Sequence, residues 1–71
     1  MLDRDVEKVL DREQFIQTLR RIADSLERGE SFRIQVLNER LTVPADAEVS
    51  IEHEREGDTQ ELELQFRWAL D

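Results

Sequence analysis

Four glutamates, Glu52, Glu54, Glu61 and Glu63, are the side chains best placed for chemistry in this chain. They fall in two strictly alternating runs, 49–54 and 61–68, on either side of Gly57-Asp58. Period-2 alternation flanking a Gly-containing turn predicts a β-hairpin with one dry face and one wet face. All four carboxylates then stand on the wet face. A two-residue turn at Gly57-Asp58 sets Glu54 against Glu61, Glu52 against Glu63 and Glu48 against Arg67. On the dry face it sets His53 against Leu62, Ile51 against Leu64 and Val49 against Phe66. A four-residue loop keeps the faces and shifts the pairs by two, and the sequence leaves both open.

Directly opposed like charges weaken a sheet, so an acidic stripe asks for a reason. One reading is a hard-cation site, since carboxylates suit Ca²⁺, Mg²⁺ or Mn²⁺. Another is a docking face for a basic partner. A third is a plain solvated face in an acidic protein. Parallel strand side chains favour the last two over a metal, which needs converging oxygens. Paired carboxylates also do general acid–base work, but only in a pocket that splits their pKa values. A two-layer domain of this size offers little room for one.

His53 is the only histidine and falls on the dry face near the turn. It has no evident metal or catalytic partners, so one satisfied ring nitrogen at the edge of the core is its expected state. Trp68, the only tryptophan, shares the dry face with Leu62, Leu64 and Phe66. It is a candidate core anchor or interface anchor, two roles that coincide if the dry face is shared between subunits. No Gly-rich phosphate loop, zinc spacing or Ser/His/Asp context is present. No basic stripe with interleaved aromatics exists either.

The elements that position these residues are well marked. Asp11 is a good N-cap, and Gln14 three residues later gives capping-box spacing. Leu10 and Phe15 stand at the two positions of a hydrophobic staple. Phe15, Ile16, Leu19, Ile22, Ala23 and Leu26 form one apolar stripe. Arg28 suits the negative end of a helix dipole, and Gly29 suits a left-handed C-terminal cap. A helix from Arg12 to Arg28 follows. Short alternations predict a strand at 5–9, another at 32–36, and a third at 40–43 stopped by Pro44. A turn at Asn38-Glu39 would pair Val36 with Leu41 and Ile34 with Val43. The order is β-α-β-β-β-β. The apolar stripe of the helix and the apolar face of the strands must cover each other. The expected fold is α+β and two-layer, one amphipathic helix packed on one face of a mostly antiparallel sheet.

Seventy-one residues make one domain, 1–71, with a small core. There is no Cys, so neither a disulfide nor a zinc staple supports it. Part of the dry face is expected to stay uncovered, and a second copy in a homodimer is the natural cover. Eighteen acids against ten bases give a net charge of -8, which repels nucleic acid and anionic membrane and favours basic partners. No apolar stretch approaches the roughly 20 residues of a membrane span. Residues 1–5 lack the features of a signal peptide, which makes a cytoplasmic protein the expectation.

The segments Leu19-Arg20-Arg21-Ile22-Ala23-Asp24-Ser25-Leu26-Glu27-Arg28-Gly29, Leu41-Thr42-Val43-Pro44 and Glu61-Leu62-Glu63-Leu64-Gln65-Phe66-Arg67-Trp68 together resemble the amphi-Trp domain family. The resemblance spans nearly the whole chain. It rests on the order and spacing of the segments more than on any one of them. It implies a compact α+β module, and it implies no catalytic residues, cofactor or metal ligands. The expected function is a non-enzymatic protein-interaction module with an acidic sheet face, self-associating through its dry face. The alternative is a divalent-cation or small-ligand-binding domain.

Overall fold

The computed structural model describes residues 7–70 of the chain. The helix α1 spans Arg12–Arg28, with the bounds the caps predict. Asp11 is extended and its side chain accepts from the Gln14 backbone N–H at 2.8 Å. The Gln14 side chain accepts in return from the Asp11 N–H at 3.4 Å. At the other end Gly29 sits at φ 65°, a left-handed conformation that glycine adopts without a Cβ clash. There the Gly29 N–H reaches Leu26 O at 3.1 Å and the Glu30 N–H reaches Ser25 O at 3.0 Å. These are the paired bonds of a Schellman end, and they satisfy two carbonyls the helix leaves open. The apolar stripe is only partly covered: Ile16 and Ile22 are half-buried, and no helix residue is fully buried. Arg21 ties the helix to the strands by donating through Nη1 to the Arg33 carbonyl.

Four strands follow: β1 (Phe32–Val36), β2 (Glu39–Val43), β3 (Glu48–Glu56) and β4 (Thr59–Arg67). They form two antiparallel hairpins, β1–β2 and β3–β4, each a separate two-stranded sheet. The chain is therefore α+β, and its strands make two small sheets where a single meander was expected. Pro44 explains the division. It has no N–H to donate, so β2 stops at Val43, and a turn closed by Ala47 N–H to Pro44 O at 3.2 Å redirects the chain. The strand expected at 5–9 lies partly outside the described residues, and residues 7–10 carry no regular structure.

The first hairpin corrects one expectation. Its turn falls at Leu37-Asn38, one residue earlier than Asn38-Glu39, so Ile34 pairs with Leu41 and Phe32 with Val43. Moving the turn by one shifts every pair by two and leaves the faces unchanged. The observed register ends the ladder at Val43. The expected one would have run past Pro44 to set Phe32 against Ala45. Leu37 adopts φ 54°, uncommon for a leucine, in order to make this turn.

Phe32 and Val43, the pair so created, are the buried apolar side chains among the described residues, at 6% and 3% exposure. Phe32 meets Phe66 of β4 edge to face, with ring centroids 5.2 Å apart and planes at 75°. That geometry suits the ring quadrupoles and adds about 0.5–1.5 kcal/mol beyond the area buried. It joins the two hairpins at their base.

Candidate functional site

The β3–β4 hairpin has the two-residue turn at Gly57-Asp58. Gly57, the first central residue, takes φ 57° while Asp58 stays outside the positive-φ region, the pattern of a type II′ hairpin turn. The register is Glu48↔Arg67, Glu52↔Glu63 and Glu54↔Glu61 on one face. The other face carries Val49↔Phe66, Ile51↔Leu64 and His53↔Leu62. All four candidate glutamates, Glu52, Glu54, Glu61 and Glu63, therefore share one small patch.

Within it the acids are not equivalent. Glu52 and Glu63 are half-buried, and Glu54 and Glu61 are exposed. Gln65, one step toward the base of the hairpin, accounts for the order of the inner pair. Its Nε2 donates to Glu52 Oε2 at 2.7 Å and to Glu63 Oε2 at 2.9 Å. Its Oε1 accepts from Ser50 Oγ at 3.4 Å. One neutral amide thus spends both N–H groups on two opposed carboxylates, and bonds to charged acceptors are stronger than neutral ones. Toward the turn there is no such clasp. The Glu54 carboxyl is raised above its ordinary 4.5, first by a hydrogen bond with Glu52 and by that group's charge. The charge of Glu63, slight desolvation and the charge of Glu61 add to this. Each neighbour makes it harder to place another negative charge, so Glu54 holds its proton longer than a free glutamate.

One carboxylate oxygen each from Glu54, Glu61 and Glu63 lie within 4.8 Å of one another. That is no farther than two Ca–O bonds of about 2.4 Å end to end, so these three could share a hard cation. An open groove of about 280 Å³ runs beside them, lined by Glu54, Glu56, Thr59 and Glu61.

His53 lies on the opposite face, exposed, with Nε2 3.0 Å from Gln60 Oε1. Trp68 follows directly after β4 and is 40% exposed, so the chain by itself does not bury it.

Sequence reasoning missed Gln65 and Ser50. The signal was available only after the register: Gln65 is two residues from Glu63 on the same strand and diagonal to Glu52 across the ladder, the distance a long side chain can span.

Fold and site define a small α+β domain whose last hairpin separates an acidic face from an apolar one. The chain belongs to the Amphi-Trp domain family, whose model matches residues 3–71, essentially its whole length. Comparison with curated proteins and with solved structures gives no match. No helix among the described residues is long and apolar enough to cross a membrane.

Proposed function

We propose that the chain is a cytoplasmic, non-enzymatic protein-interaction module whose acidic β3–β4 face docks a basic partner. The observation that carries the proposal is the clasp of Gln65 on Glu52 and Glu63. It holds repelling carboxylates in one place, beside the exposed Glu54 and Glu61. A fixed array of like charges raises the encounter rate with oppositely charged proteins and selects against acidic ones. The net charge of -8 works in the same direction and argues against nucleic acid and anionic membranes as partners.

The test is capture from lysate with the tagged chain, at low and high salt, beside the double variant Glu54→Lys, Glu61→Lys. Both positions are exposed, so the fold should survive. A stoichiometric partner should be captured by the wild type at low salt and lost on reversal. Retention by the variant sinks the acidic-face reading.

The grouping of Glu54, Glu61 and Glu63 oxygens favours a second reading, a divalent-cation site. A ligand bound only to the folded state raises stability by RT ln(1 + [L]/Kd). Micromolar Mn²⁺ or Ca²⁺ should then raise the melting point in wild type and not in Glu61→Gln. An equal response to NaCl of matched ionic strength would mean charge screening instead.

A further inference from the structure

The other face of the same hairpin is apolar and open to water. Val49, Ile51, Leu62 and Leu64 are 58%, 71%, 72% and 52% exposed, although they are cross-strand neighbours in a continuous strip. The whole chain shows the same deficit. Its accessible surface is 6899 Å². A compact monomer of 8.5 kDa exposes roughly 4,700 Å². Its Cα radius of gyration is 13.6 Å, where a closed domain of this length has about 11 Å. Even if the undescribed residues contributed all of their unfolded area, an excess of roughly 1,000 Å² remains. A standard interface takes about 800 Å² from each partner.

We infer that a second copy of this chain covers the strip, packing its own β3–β4 apolar face on it about a two-fold axis, with Ile51 and Leu62 near the centre. Charge selects this occupant and this face. The strip's positions, 49, 51, 53 and 55 on β3 and 60, 62, 64 and 66 on β4, hold no carboxylate. The reverse of the hairpin holds Glu48, Glu52, Glu54, Glu56, Glu61 and Glu63. Two chains of charge -8 can meet closely only where neither presents acids, and pairing the strips turns both acidic faces outward. His53, Arg55 and Gln60 at the turn end supply the polar rim that such interfaces carry. The need is also intrinsic to the chain. Two buried apolar side chains among the described residues make a small core for a domain of this size, so a shared face would add stability that one copy lacks. A copy of itself is a partner present wherever the chain is made. A closed two-fold pairing uses one self-complementary patch and leaves no strip exposed. The inference goes beyond the acidic-face reading, uses the opposite side of the hairpin, and stands if that reading fails.

The test combines sedimentation equilibrium with site-specific cross-linking of the full chain. The sequence has no cysteine, so a single introduced thiol reports one position only. The wild type should sediment at twice 8.5 kDa, with a melting point that climbs with protein concentration. Ile51→Cys should form a covalent dimer on mild oxidation. Its neighbour Ser50→Cys, on the acidic face, should not. These variants keep the strip largely apolar, so the result does not depend on a disrupted mutant folding. A mass of 8.5 kDa with a concentration-independent melting point overturns the proposal. A dimer that cross-links through Ser50→Cys and not through Ile51→Cys overturns it too.

Discussion

The two hairpins of this domain are written in the same alternating code and end in different states. In β1–β2 the apolar face reaches Phe32 and Val43, which are the buried pair. In β3–β4, with nine-residue strands, the apolar face is largely in water, and the half-buried side chains include two acids and an amide, Glu52, Glu63 and Gln65. Alternation thus sets which side of a strand is apolar. Whether that side is covered depends on what the rest of the chain can reach, and one helix with two short strands reaches only the base of the long hairpin.

The largest effect that sharpens this comparison is a pair of truncations. Phe32→Ala should cost about 3–5 kcal/mol at every protein concentration, because it empties the contact with Phe66 and Val43. Ile51→Ala should cost stability only where the protein is concentrated enough to self-associate, and nothing measurable on dilution. Denaturant titrations at two protein concentrations separate the cases, and equal losses at both would break the contrast.

The turns come next. Gly57→Ala forces a Cβ into a left-handed conformation and should cost about 1 kcal/mol. Leu37 already bears that strain, so Leu37→Gly should gain about 0.5–1 kcal/mol. Thermal melts of both variants check the opposite signs.

The smallest effect is a dependence on pH. The folded-state carboxyl of Glu54 is raised above 4.5, first by Glu52 and then by Glu63 and Glu61. The folded chain therefore holds this proton more tightly than the unfolded one. The group's contribution is most favourable below its unfolded pKa and is lost as pH rises from 4.5 through the folded value. The melting point should rise as pH falls from neutrality toward 4.5. Glu54→Gln should melt higher at neutral pH and show a flatter profile over that range.

Much of this was legible in the sequence. Asp11, Gln14 and Gly29 gave both ends of the helix, because caps act through local hydrogen bonds that a few residues decide. Gly57-Asp58 gave the long hairpin its faces, and, once the two-residue turn is known, its pairs. The first turn was misplaced because Asn38 tolerates positive φ better than Leu37, and local preference pointed to it. The wish of Phe32 to sit opposite Val43 before Pro44 overrode that preference. Gln65 stayed hidden since its role exists only across a ladder whose register was open. The division into two sheets was hidden as well, because alternation says nothing about which strands pair.

The Gln65 clasp has one more consequence. A lysine at that position would also hold Glu52 and Glu63, but it would cancel one of their charges and shrink the field they cast. A bound cation would do the same, and its occupancy would vary with the surrounding salt. An amide supplies two N–H dipoles and no net charge, so it orders Glu52 and Glu63 without offsetting their charge. A partner arriving at this face therefore meets an ordered pair whose charge no neighbouring cation among the described residues offsets, and salt should weaken its binding by screening both surfaces.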